Sequence, residues 1–224
     1  MSDESIFREV DEALRQDRFK ALWDKYGAFV LLGAFLLVAV VAGHNGWTYW
    51  QAKQASESGE RFMNALLLEE QGKREESVAA FQELVDDGPR GYRLLARFQV
   101  AAAFAKGGDQ QGALKAYDEL AADGSAGQLM QGYAAIQAAS LRVDEASMEE
   151  MKERLDVLAS GQSPWRHSAR ELLGLTAFRT GDNGQAEQLF GQLLADQAAP
   201  LNLKRRAEMM LALLVKSGPS AGGQ

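Results

Sequence analysis

Gly108-Asp-Gln-Gln-Gly-Ala-Leu-Lys-Ala-Tyr-Asp-Glu-Leu120 and Gly181-Asp-Asn-Gly-Gln-Ala-Glu-Gln-Leu-Phe-Gly-Gln-Leu193 carry the same pattern. A glycine leads, a small residue stands five places on, a ring four places after that, and a leucine three further. Gly72, Ser77, Phe81 and Leu84 repeat it. The small residues stand at 77, 113 and 186, so the gaps are 36 and 73, and 73 is close to twice 36. A further copy is therefore expected near residue 150. Met151, Leu155 and Leu158, followed by Pro164, fill that place with looser chemistry.

The pattern has a mechanism. Glycine takes the left-handed backbone that closes one helix, and the aspartate after it caps the next. The small residue lets two helices approach, and the ring one turn later covers the same face. The helices that lead into the breaks also correspond: Val100, Ala101 and Phe104 precede Gly108 as Leu173, Gly174 and Ala177 precede Gly181. This small-x3-aromatic register is similar to that of tetratricopeptide-type helical hairpins. The fold class expected is all-α: hairpin repeats over 61–216, with the amphipathic stretch Leu201 to Val215 after Pro200 as a C-terminal capping helix. Residues 217–224 read as a flexible tail.

Upstream of the repeats the chemistry changes. Between Lys25 and Lys53 there is no charge, and residues 28–43 are all apolar or glycine. Residues 28–50 as a helix reach about 34 Å, enough for a hydrocarbon core of roughly 30 Å. Trp23 and Tyr26 at one end, and Trp47, Tyr49 and Trp50 at the other, suit the headgroup level. A transmembrane helix over 26–50 is expected, with 51–60 continuing it as a helical extension. A cleaved signal peptide and a buried core helix are the rival readings. The 25-residue acidic leader argues against the first. The second needs a core that surrounds a helix apolar on all sides. Arg15, Arg18, Lys20 and Lys25 flank the near end, against Lys53 and Arg61 at the far end. That bias places the N-terminus in the cytoplasm and the C-terminal domain in the periplasm of the inner membrane. Residues 1–25 read as a cytoplasmic amphipathic tail, with Phe7, Val10 and Leu14 on one face.

Composition excludes several functions. The chain has 224 residues, no cysteine, two histidines and a net charge of −7. Disulfides, thiolate metal sites and thiol catalysis are ruled out. No basic stripe interleaved with aromatics points to nucleic acid. His44 and His167 lack metal-site spacing, and no catalytic, cofactor-binding or metal constellation emerges. His167 reads as a surface residue at a helix entry, and the methionines at 148, 151, 209 and 210 as core filler. Glu149-Glu150 and Asp86-Asp87 read as solvated charge. His44 and Asn45, polar groups within the span, are candidates to face a membrane partner. Tyr92, Arg93 and Arg97, on the first helix of a pair, are candidates for partner binding on the outer domain.

Taken together, the tail Met1-Ser-Asp-Glu-Ser-Ile-Phe-Arg-Glu-Val-Asp-Glu-Ala-Leu-Arg15, Leu22-Trp-Asp-Lys-Tyr-Gly27, the span ending Gly46-Trp-Thr-Tyr-Trp50 and Pro200-Leu-Asn-Leu-Lys-Arg-Arg-Ala207 resemble the ancillary SecYEG translocon subunit family. The resemblance implies a non-catalytic inner-membrane protein without cofactors. Its implied partners are the lipid bilayer, the Sec translocon, a membrane-anchored prolyl-isomerase-like chaperone and secreted client proteins. The implied role is scaffolding of translocation and hand-over to periplasmic chaperones. An envelope scaffold for cell division or cytochrome maturation rests on the same physics, and an envelope enzyme lacks clustered His, Cys or Ser/Lys pairs.

Overall fold

The computed structural model describes residues 3–217, with the side chains of 3–19, 21, 22, 30 and 217 outside that description. The amphipathic reading of the N-terminal tail rests on the side chains of Phe7, Val10 and Leu14, which lie outside that description; of the tail expected over 217–224, Ser217 is the last residue of a helix and 218–224 lie outside the described residues. Every described element is helical. α1 runs Asp3–Glu70, α2 Arg74–Asp87, α3 Arg90–Lys106, α4 Gln110–Ala122 and α5 Gln128–Arg142, with a 3-10 turn at Gly124–Ala126. α6 is Met148–Ala159, α7 Arg166–Arg179, α8 Asn183–Ala195 and α9 Leu201–Ser217. The chain divides into two compact units, Met1–Glu57 and Ser58–Gln224.

The first unit holds the apolar stretch of α1. By length and composition this helix can cross a membrane. Its large side chains are exposed, Phe29 at 71% and Phe35 at 69%. The core helix of a soluble protein would hide them, so that rival reading fails.

The second unit is a stack of helical pairs: the end of α1 with α2, then α3–α4, α5–α6 and α7–α8, with α9 last. The turns explain the pairing. Gly108 and Gly181 both sit at φ +83°. Around them the Asp109 amide donates to the Phe104 carbonyl at 3.0 Å and the Gly108 amide to Ala105 at 3.1 Å; Asp182 and Gly181 bond Ala177 and Phe178 likewise. These paired bonds satisfy carbonyls that the helix end leaves open. The same aspartates then cap the following helix, Asp109 accepting from the Gly112 amide and Asp182 from the Gln185 amide.

The copy expected near 150 is α6, in register. Ser147 caps it by accepting from the Glu150 amide. Counted from the caps at 73, 109, 147 and 182, the fourth residue is Ser77, Ala113, Met151 or Ala186. The eighth is Phe81, Tyr117, Leu155 or Phe190, and all eight side chains are buried. In α6 Met151 enlarges the small site and Leu155 replaces the ring with a smaller side chain, so volume is shared more evenly between the two sites.

Four apolar cores follow in chain order, each shared between a pair and the first helix of the next. Ala65, Phe81, Leu84 and Ala96 form the first; Phe98, Tyr117, Leu120 and Ala134 the second. Met151, Leu155, Ala169 and Leu173 lie in the third; Ala177, Phe190, Leu203 and Ala207 in the fourth. Neighbour therefore stabilises neighbour along a line. Polar contacts follow the same period. Arg154 pairs with Asp118 at 2.6 Å, Trp165 Nε1 donates to the Leu129 carbonyl at 2.9 Å and Arg179 Nε to the Val143 carbonyl at 2.9 Å, each across 36 residues of sequence.

Candidate functional site

Arginines on the first helix of a pair have a second periodicity. Arg61 Nη2 donates to Asp87 at 2.9 Å, Arg97 Nη1 to Asp123 at 2.5 Å, and Arg170 Nη1 lies 3.7 Å from Asp196. Each pair is 26 residues apart and joins the middle of the first helix to the end of the second. In the third pair the corresponding residues are Tyr133 and Ala159, and the clasp is absent. Arg170 Nε instead donates to the Ala159 carbonyl at 3.0 Å. The Tyr133 ring packs 5.3 Å from Phe98 and 5.4 Å from Trp165. Trp165 Cδ1 lies so close to Gly132 that a Cβ there would meet it at 2.4 Å.

The electrostatics follow the clasps. Hydrogen bonds from Ser125 and Arg97 hold the Asp123 carboxyl at a pKa of about 2, below the ordinary range. His167, the Ala198 amide and Arg166 hold Asp196 at about 2 as well. His167 is not at the surface. It is 5% exposed, with Nε2 2.8 Å from Asp196 Oδ2, because the turn after α8 delivers a carboxylate to the start of α7. Two of the acids read as solvated are also engaged: Asp87 by Arg61, and Glu150 by Arg142 Nε at 3.1 Å.

The expected site residues fall in different units. His44 and Asn45 are exposed on α1, and the Asn45 carbonyl accepts from the Thr48 hydroxyl at 3.0 Å. Tyr92, Arg93 and Arg97 share α3 but not an environment. The Tyr92 ring lies 6.0 Å from Phe62, with its hydroxyl over Gly59. Arg93 is exposed, and its Nη2 donates to the Gly88 carbonyl at 3.1 Å. Arg97 is committed to Asp123. Of the three, Arg93 is the exposed residue, while Tyr92 and Arg97 are half-buried. Sequence reading missed the clasp, although Arg61 and Arg97, like Asp87 and Asp123, are 36 residues apart and could have revealed it.

A shallow groove of about 590 Å³ runs beside α6 and α8, lined in part by Lys152, Val157, Arg170, Leu189 and Gln192. It lies where the third pair lacks its clasp.

No curated protein and no solved structure matches the chain. A family model for the tetratricopeptide repeat-like domain matches residues 20–212. Such repeat domains are typically non-catalytic scaffolds for protein interaction. Matched over most of its length, and built of helical pairs in a 36-residue register, the chain belongs to the tetratricopeptide repeat-like domain family.

Proposed function

We propose that the chain is a membrane-anchored interaction scaffold that assists protein translocation at the Sec channel and hands secreted clients to periplasmic chaperones. The observation that carries this reading is one polypeptide joining an exposed apolar helical stretch to a repeat domain with no catalytic constellation in its sequence. The anchor holds weak binding surfaces near the channel exit, where effective concentrations reach roughly the millimolar range. His44 and Asn45 are the residues for a partner within the bilayer, since polar side chains in a span seek protein contacts. Arg93, beside Tyr92, is the residue for a partner outside it. The N-terminus is cytoplasmic and the repeat domain periplasmic.

Photocrosslinking in intact membranes tests this, with a probe at position 44 in one variant and 93 in another. The expected products join position 44 to a translocon or chaperone span and position 93 to a secreted or chaperone polypeptide. Products with division or cytochrome-assembly proteins instead would move the scaffold to another envelope machine. Release of the full-length chain by alkaline washing, or protection of its C-terminal part from protease added to spheroplasts, would end the anchored reading.

A further inference from the structure

The last helix of a helical stack ordinarily turns a polar face to water. α9 does not. Leu203, Ala207 and Leu214 are buried against the repeats, while Leu201 is 65% exposed, Met209 59% and Val215 85%. Met209 is thus the exception among the methionines read as core filler. Leu201, Arg205, Glu208, Ala212 and Val215 follow one another at spacings of 4, 3, 4 and 3, and all five are exposed. That spacing defines a single seam of the kind along which helices pair.

The charges on the seam select the occupant. Arg206, next along, is fixed by Glu171 through bonds of 2.5 and 2.7 Å. Arg205 and Glu208 have no ion-pair or side-chain hydrogen-bond partner among the described residues. They are opposite in sign, three residues apart and on the same face. A two-fold axis crossing α9 midway between Arg206 and Ala207 would set Arg205 of one helix against Glu208 of an antiparallel copy, and the reverse. It would also set Leu201 against the small Ala212, twice. An isologous contact needs this self-complementarity.

We propose that the outer face of α9 is a homodimer interface, formed by antiparallel pairing of α9 with α9 of a second copy. That axis overlaps only residues 201–212 of each helix and leaves Val215 outside, so the contact is about 17 Å long. It sits at the small end of specific interfaces, so association is concentration-dependent.

The chain has no cysteine of its own, so introduced ones report without background. In purified full-length protein in mild detergent, Leu201→Cys combined with Ala212→Cys should oxidise to a covalent dimer, while either single variant should not. On that double-cysteine background, Arg205→Glu should cut the dimer yield about fivefold or more by opposing like charges, and Arg205→Glu with Glu208→Arg should restore it. Circular dichroism should be unchanged throughout, since every substituted side chain is exposed. No covalent dimer, equal yield from the single-cysteine variants, or failure of the exchanged charges to rescue would each overturn the proposal. So would sedimentation as a monomer at all concentrations, or a seam occupied by a different protein.

Discussion

The third and fourth helical pairs solve one packing problem in two ways. In the fourth, Ala186 admits the partner helix closely enough that Phe190 lies on Gly174, where a Cβ would come within 2.9 Å of the ring. Arg170 and Asp196 then tie the pair together. In the third, Met151 and Leu155 occupy the corresponding places, and Tyr133 and Ala159 replace the clasp. The turn differs too: residues 143–147 reach the cap at Ser147 without a left-handed glycine, through bonds from the Glu145 and Ala146 amides to the Arg142 carbonyl. What the repeat preserves is the position of each buried side chain counted from the cap. Volume and charge can be redistributed among those positions.

Truncation tests this most severely. Phe190→Ala removes a fully buried ring and should cost about 3–5 kcal/mol in urea unfolding of the full-length protein followed by circular dichroism. Leu155→Ala should cost about 2–5 kcal/mol, toward the low end if the third pair collapses around the gap. A larger cost for Leu155 than for Phe190 would mean that the third pair is the more tightly packed of the two.

Transplanting one solution into the other sharpens the comparison. Ala186→Met alone overfills the fourth pair and should cost about 1–3 kcal/mol. Combined with Phe190→Leu, it recreates the α6 arrangement, so the double variant should be more stable than the sum of the two single costs implies, by about 1 kcal/mol in a double-mutant cycle. Additive costs would show that the two sites do not share volume.

The smallest expected effect is that of acid. Asp123 and Asp196 have folded pKa values near 2, below about 3.9 for an unfolded aspartate. Each therefore contributes stability that is complete above about pH 4 and is lost as pH falls through about 2. Asp123→Asn with Asp196→Asn should flatten the decline in urea midpoint between pH 4 and pH 2, leaving a shallower slope than that of the unaltered protein. An unchanged slope would assign the acid response to other carboxylates.

Much of this stack can be read from residues alone, because turns and close approaches are local. Gly108 with Asp109 and Gly181 with Asp182 announce their turns by backbone chemistry, and the small residue followed by a ring announces the approach. The register even locates α6, whose own residues do not match the pattern. The clasps were harder. An arginine and an aspartate 26 residues apart look like ordinary surface charge until the hairpin closes. His167 was misread for the same reason, since what buries it is a carboxylate that arrives with the next turn. Arg97 looked available for a partner because Asp123 is distant in sequence. The outward face of α9 escaped notice because amphipathicity marks the buried side of a helix and not what lies opposite.

The period of the cross-pair contacts has a consequence for biogenesis. None of the described side-chain hydrogen bonds spans more than 37 residues of sequence, so no hairpin waits for a remote part of the chain before it can form. A polypeptide that emerges end first, from a ribosome or through a narrow pore, could acquire its structure one hairpin at a time. Only the newest segment, about one unit long, would be left uncovered.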